Sequence, residues 1–247
     1  MNVFIRILQR AIIFIISLGV LWLITTQIFA RLDDQLPLFM ALVLTYLISA
    51  YLILPRVIHF TAFVLRKKGT PRFTLAGDGL PADPINITLI GPKEDLIRAF
   101  VKAGWYRADK LTLLSAFKMS KAFIFNRPYP SAPFSSLFLF GRRYDIGFEM
   151  PIGKSPRKRH HVRFWESSTE KNHWVGAATK DTGFALAKLT YQLSHAVDPN
   201  VDEERTFILS SLQKAGCISN PVFRDIGNFA VGPFISDGRI LEAEIKF

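Results

Sequence analysis

The chain has 247 residues, of which 49% are hydrophobic and 21% charged, and its formal net charge is +11 at pH 7. This composition excludes disordered and collagen-like chains, and the single cysteine, Cys217, excludes an internal disulfide and a cysteine zinc site. A mean hydropathy of +0.22 is high for a water-soluble domain. These values favour a basic protein that contacts a membrane and faces a reducing compartment.

Two uncharged, apolar segments near the N-terminus, residues 11–30 and 35–55, are each long enough for a membrane-spanning helix. Only four residues separate them, which predicts an antiparallel hairpin. The alternative is that the two segments are core helices of a soluble domain. Such helices normally have a polar face, and neither segment has one. A cleaved signal peptide has a shorter apolar stretch than residues 11–30. We therefore predict two transmembrane helices.

The distribution of positive charge around these segments predicts their orientation. Arg6 and Arg10 precede the first segment, and Arg31 is the only basic residue between the two. Positive residues stay on the cytoplasmic side, so both chain ends and the following domain are predicted to be cytoplasmic. The basic residues that follow the second segment also favour contact with anionic lipid. They are Arg56, Arg66, Lys67, Lys68 and Arg72.

Three regions follow from these patterns. Residues 1–68 form a membrane domain with a basic juxtamembrane end, residues 69–83 form a turn-rich linker, and residues 84–247 form a soluble domain. The order of its elements predicts an α+β fold with a largely antiparallel sheet. We predict helices at 93–103, 183–194 and 201–215, a helix or a helix followed by a strand at 111–125, and strands at 84–90, 134–141, 144–150, 160–165 and 173–179, with a closing hairpin in 221–247.

Four blocks of the soluble domain are distinctive in composition and order: residues 127–133, 139–145, 155–165 and 194–205. They include Arg-Pro-Tyr-Pro, Phe-Gly-Arg-Arg-Tyr-Asp and Arg-His-His-Val-Arg-Phe-Trp. Together these blocks resemble the LssY C-terminal domain family of bacterial membrane proteins, over about half of the chain. The resemblance implies a location in the bacterial inner membrane. It implies no reaction, because the family takes its name from a proposed type I secretion component and has no established activity.

The first candidate site is the polar face of a strand. Side chains on a strand alternate, so His161, Arg163 and Trp165 share one face. His195 and Asp198 follow three residues apart. Imidazole titrates near neutral pH and a carboxylate can set its tautomer, so such a cluster suits acid/base catalysis. His161, Arg163, His195 and Asp198 are therefore the candidate catalytic residues. Metal binding and a structural role remain open, although the spacing matches no standard zinc motif.

The second candidate site is cationic and suits a phosphate-bearing ligand, because arginine makes paired hydrogen bonds to phosphate oxygens. Asp145 and Glu149 lie on the predicted strand 144–150 and are candidate ion-pair partners of the arginines of this cationic site. A solvated basic face is the alternative interpretation. The candidate ligand-binding residues are Arg142, Arg143, Arg157, Lys158, Arg159, His160 and His173.

The sequence contains no phosphate-binding loop, dinucleotide fingerprint, nucleophile elbow or His-Glu-x-x-His motif, and therefore no cofactor is indicated. No nucleic-acid recognition motif accompanies the basic residues. Three functions remain. The first is a binding or accessory module that contacts anionic phospholipid or another phosphate-bearing ligand. The second is a hydrolase or phosphoesterase that uses the His/Arg/Asp cluster. The third is an interaction subunit of a secretion or transport assembly, bound to another membrane protein.

Overall fold

A computed structural model describes residues 3–57, 60, 72–77, 79–153, 156–186, 193–225 and 234–247. The chain divides into two units. One comprises residues 1–70 with the short segments 77–80 and 186–193, and the other comprises residues 71–76, 81–185 and 194–247. Most of the basic segment after the second apolar helix lies outside the described residues, and so do Lys154 and Ser155.

The first unit contains two long apolar helices. Helix α1 (Val3–Trp22) continues through π-helical turns (Leu23–Phe29) into α2 (Ala30–Asp33), and α3 (Leu38–Ile48) continues through further π-helical turns (Ser49–Ile53). The spans Ala11–Asp33 and Leu38–Val57 are long and apolar enough to cross a membrane. The prediction of two such helices is confirmed, and it indicates association with a membrane.

Hydroxyl groups in the first span are satisfied within the helix itself. Ser17 donates to the carbonyl of Ile13 at 2.9 Å, and Thr26 donates to the carbonyl of Trp22 at 2.7 Å. Lipid offers no hydrogen-bond partners, so this internal bonding makes the polar side chains compatible with a membrane environment.

The second unit is an α+β domain built on two sheets. The strands are β1 Phe73–Leu75, β2 Pro81–Pro84, β3 Ile87–Ile90, β4 Tyr106–Arg107, β5 Phe138–Leu139, β6 Arg142–Arg143, β7 Ile146–Pro151, β8 Arg159–Glu166, β9 His173–Leu186, β10 Leu193–Val197, β11 Val222–Asp225 and β12 Arg239–Glu244. One sheet has four strands in the order β2-β1-β5-β6, and the other has the order β11-β12-β3-β9-β8-β7-β4 with β10 paired to β9. Most neighbouring strands are antiparallel, and β12 and β3 are parallel, which confirms the predicted class.

The described part of the domain also has three helices, which are α4 (Lys93–Lys102), α5 (Leu113–Ile124) and α6 (Val201–Lys214). The side chain of Asn200 accepts a hydrogen bond from the backbone N–H of Glu203 at 3.2 Å and caps α6 as predicted. Acidic residues in the first turn and Lys214 in the last turn complement the helix dipole. Local sequence is therefore sufficient to define the ends of α6.

The main core lies between α4, α6 and one face of the larger sheet. It contains Phe100 of α4, Leu209 of α6 and the strand residues Phe148 and Phe164, and all four are at most 2% exposed. The rings of Phe100 and Phe148 stack with centroids 4.2 Å apart. A second cluster, which includes Leu139 and Trp165, lies on the opposite face of this sheet. The large sheet is therefore buried on both faces around β8.

Two predicted segments differ in the structure. Part of the predicted linker forms β1 and β2, where the buried hydroxyl of Thr74 donates to the carbonyl of Asp83 at 3.0 Å. The predicted helix 183–194 is contradicted, because β9 extends to Leu186 and β10 begins at Leu193. Beyond Asp181, where the pairing of β9 with β8 ends, β9 pairs with β10, and this strand pairing overrides the local helical preference.

Candidate functional site

Strand β8 carries the most concentrated set of polar side chains in the described part of the domain. As the strand pattern predicts, His161 and Arg163 point to one face of the sheet, and Arg159, which the predicted strand did not include, points to the same face. Each of them is at most 4% exposed. Charged groups at this depth are stable only when they are paired or hydrogen bonded. The partners of these three side chains therefore decide what the site can do.

Arg159 binds two carboxylates from the neighbouring strands. Its Nη1 lies 2.7 Å from Oε2 of Glu149 on β7, and its Nε lies 2.9 Å from Oδ2 of Asp181 on β9. Nη1 also donates to the carbonyl of Ala132 at 3.2 Å. The prediction that Glu149 pairs with an arginine is confirmed.

His161 and Arg163 extend this arrangement along the strand. Arg163 Nη1 lies 2.7 Å from Oδ2 of Asp83. The hydroxyl of Thr179 lies 2.9 Å from His161 Nε2 and 3.3 Å from the same Asp83 oxygen. On its other side, His161 Nδ1 lies 3.6 Å from Oδ2 of Asp181. We call these seven residues the buried ion network: Asp83, Glu149, Arg159, His161, Arg163, Thr179 and Asp181.

One aromatic ring lies beside all three side chains of β8. The guanidinium groups of Arg159 and Arg163 are 5.2 Å and 4.6 Å from the centroid of Phe134, and the His161 ring is 5.4 Å away. Attraction between the cations and the ring adds to the ion pairs. Phe134 is itself buried, so it also keeps water away from these groups.

Burial shifts the protonation of the network. It raises the pKa of Glu149 to about 8, although Arg159 acts in the opposite direction. Burial also tends to raise the pKa of Asp83, but the neighbouring His161, whose Nε2 is 3.9 Å from Oδ2, and the charge of Arg163 outweigh it, so this pKa is lowered. Three carboxylates face two guanidinium groups, and a raised pKa at Glu149 reduces this excess of negative charge by favouring its protonated form.

The candidate catalytic residues do not all meet. His160, on the other face of β8, lies 2.7 Å from Glu204 and stacks on Phe207. Lys180 pairs with His160 in the strand register, and its Nζ lies 3.4 Å from Oδ2 of Asp198. Asp198 therefore lies on the side opposite to His161 and Arg163, and the side chain of His195 lies outside the described residues.

Among the residues that the structure describes, no group of three His, Cys, Asp or Glu side chains is arranged to hold a metal ion. The described residues therefore do not support the metal-binding alternative. Within the buried ion network, the acidic side chains face guanidinium groups instead. They are occupied by fixed cations of the chain.

Most of the candidate ligand-binding cations are bound within the chain. Arg142 donates to Asp145 and to the carbonyl of Glu166, and Arg143 donates to Ser136. The guanidinium of Arg157 donates to the carbonyl of Phe123 at 2.7 and 3.0 Å, close to the end of α5. His173 Nδ1 lies 2.9 Å from Oε2 of Glu170. Lys158 is exposed, and the described ion pairs do not include it.

The sequence interpretation missed a second surface, on α5. The side chains of Leu113, Phe117 and Ile124 are 94%, 69% and 66% exposed. Lys118 and Lys121 are exposed on the same helix, and the described ion pairs include neither of them. We call this surface the outer face of α5, and it comprises Leu113, Leu114, Phe117, Lys118, Lys121, Ile124 and Phe125.

Sequence interpretation also missed several members of the buried ion network. Asp83 was assigned to the linker, and Phe134 has no polar group to draw attention to it. The alternation along β9, which places Thr179 and Asp181 on one face, was a usable signal. It required the strand to continue beyond Thr179, where we predicted its end.

Comparison with known proteins adds one finding. The family model described as LssY C-terminus matches residues 67–239, which is more than half of the chain. No curated protein and no solved structure matches the chain.

Proposed function

Because the chain belongs to the LssY C-terminus family and has two helices able to span a membrane, we propose that it is a membrane-anchored binding module. Its domain contacts anionic lipid at the cytoplasmic face of the bacterial inner membrane. The lipid phosphates are the phosphate-bearing ligand. The scarcity of basic residues between the spans, where Arg31 stands alone, supports this orientation.

The observation that carries the proposal is the concentration of cations in residues 107–127. This segment has five basic residues and one acidic residue. The described ion pairs include none of the five. Each cation near an anionic leaflet contributes about 1 kcal/mol of attraction, so several acting together hold a tethered domain at the surface. The five are Arg107, Lys110, Lys118, Lys121 and Arg127.

The buried ion network differs from residues 107–127 in that its cations are paired, and this difference also favours a binding function for residues 107–127. Arg159 and Arg163 are held by carboxylates of the chain, so these two cations are engaged inside the domain. The hydrolase hypothesis requires His161, Arg163, His195 and Asp198 to act together. Asp198 lies on the other side of the sheet from His161, so the arrangement favours binding over catalysis.

Hydrogen exchange of the full-length protein in lipid nanodiscs tests the proposal. In discs containing phosphatidylglycerol, we expect backbone amides of residues 107–127 to exchange more slowly than in discs of phosphatidylcholine alone. The Lys118→Glu/Lys121→Glu variant should lose this protection by about tenfold or more, because it removes two attractions of about 1 kcal/mol each and adds repulsion.

The matched control is Lys171→Glu/Lys214→Glu, which makes the same change in net charge at two exposed lysines outside the segment. It should retain the protection. Equal exchange in the two kinds of disc, or equal loss in the two variants, would contradict the proposal. A soluble headgroup, glycerophosphoglycerol, added to phosphatidylcholine discs separates binding of a free phosphate ester from binding of the bilayer.

A further inference from the structure

The outer face of α5 is an exposed apolar surface that the buried ion network does not explain. Leu113, Phe117 and Ile124 are spaced by four and seven residues, so they follow one stripe of the helix. Leu114 and Phe125 form an adjacent stripe, and they are 65% and 63% exposed. Soluble domains rarely expose contiguous apolar surface of this kind without a binding role.

The helix that carries this face is held firmly by the domain. Thr112 and Ser115 form a capping box at its start, with hydrogen bonds of 3.1 and 2.8 Å between side chain and backbone. Ser115 and Ala122 are buried beneath the helix. Arg157 binds the carbonyl of Phe123 near its end, where a cation also complements the helix dipole. The apolar side chains are therefore presented outward by a fixed element.

The charges around this face identify what covers it. Residues 110–127 contain four basic residues and no acidic residue. Lysines beside an apolar stripe can extend their amines to lipid phosphates while their methylene groups follow the apolar surface. This combination is typical of helices that lie in a membrane interface. The membrane helices of the same chain keep the domain close to that surface.

We propose that α5 lies in the membrane interface with Leu113, Phe117 and Ile124 inserted among the lipid chains and Lys118 and Lys121 at the level of the phosphates. The inference rests on the proposed function and adds to it that the contact is insertion into a bilayer. Capture of a soluble anion does not require the apolar side chains, so their exposure favours the bilayer as partner.

A nitroxide spin label on the full-length protein in phosphatidylglycerol-containing liposomes tests the insertion. The label is attached to Phe117→Cys, with Leu18→Cys as the reference inside the first span and Lys171→Cys as the reference in an exposed loop. The wild-type protein serves as the labelling blank, because its single cysteine, Cys217, is buried. Power saturation then compares collisions with oxygen, which concentrates in lipid, and with a water-soluble nickel complex.

The label at 117 should show a ratio of oxygen to nickel accessibility close to that at Leu18 and severalfold above that at Lys171. A ratio equal to that at Lys171 would show that the helix stays in water and would overturn the inference. Shielding from both reagents would show that protein covers the helix, and would overturn it equally.

The two proposals can fail separately. One outcome is hydrogen-exchange protection that depends on phosphatidylglycerol, together with a label at 117 that stays in water. It would support the electrostatic contact with anionic lipid and contradict the insertion of α5. The opposite outcome is a label that inserts into liposomes of phosphatidylcholine alone, with no effect of the lysine variant on hydrogen exchange. It would support the insertion of α5 and contradict the proposed selectivity for anionic lipid. Phe117 and Lys171 are exposed in the domain and Leu18 is exposed on the first span, so their substitution should leave the fold intact.

Discussion

Two surfaces reverse the usual distribution of polarity. One is the face of β8 that carries the buried ion network, and the other is the outer face of α5. On β8, Arg159 and Arg163 are almost completely buried, and on α5, Leu113 and Phe117 are largely exposed. The buried cations are stable because carboxylates lie within hydrogen-bond distance. The exposed apolar side chains have no comparable compensation within the described domain. Charge alone therefore does not locate a binding surface. Side chains that lack a partner within the described domain are the better indication of one.

The largest effect is expected from breaking the buried ion network. Arg159→Met should lower the free energy of unfolding by about 4 kcal/mol, because it leaves Glu149 and Asp181 buried without their cation. Lys158→Met, at the exposed neighbouring position, should change stability by less than about 0.5 kcal/mol. Denaturant unfolding followed by fluorescence measures both. Similar losses in the two variants would show that the ion pairs do not stabilise the domain.

A pair of phenylalanines sharpens the comparison. Phe148→Ala should cost about 3 kcal/mol, because the ring is fully buried and stacks on Phe100. Phe117→Ala should cost less than about 0.5 kcal/mol in detergent, since that ring is exposed. The same unfolding measurement applies. A large loss on truncation of Phe117 would mean that its ring packs within the protein and is unavailable to lipid.

A pH dependence of stability from Glu149 tests the same network without removing a side chain. Its pKa rises from 4.5 to about 8 on folding, so the folded state holds its proton more tightly than the unfolded state. The resulting stability is complete below about pH 4.5 and is lost as the pH rises towards 8, with a slope of at most about 1.4 kcal/mol per pH unit. Glu149→Gln, which cannot titrate, should flatten the slope between pH 5 and 8. An unchanged slope in this variant would assign the pH dependence to another group.

Much of the domain could be predicted from local patterns. The alternation in residues 160–165 correctly separates His161 and Arg163 from His160. Asn200 and Glu203 correctly locate the start of α6. The prediction of a helix in 183–194 was wrong, because the described ends of this segment belong to β9 and β10, and strand pairing overrides the helical preference of the local pattern. Asp83 was missed because Arg163, its partner, is 80 residues away.

The sequence by itself determined the two apolar spans, the excess of positive charge and the alternation along β8, because each depends on residues close together in the chain. Only the tertiary structure decided which cations are paired inside the domain and which apolar side chains remain outside. Both outcomes depend on packing between distant segments, such as Arg159 against Asp181 and Arg157 against the end of α5. Identical residue types thus acquire opposite roles according to the neighbours that folding gives them.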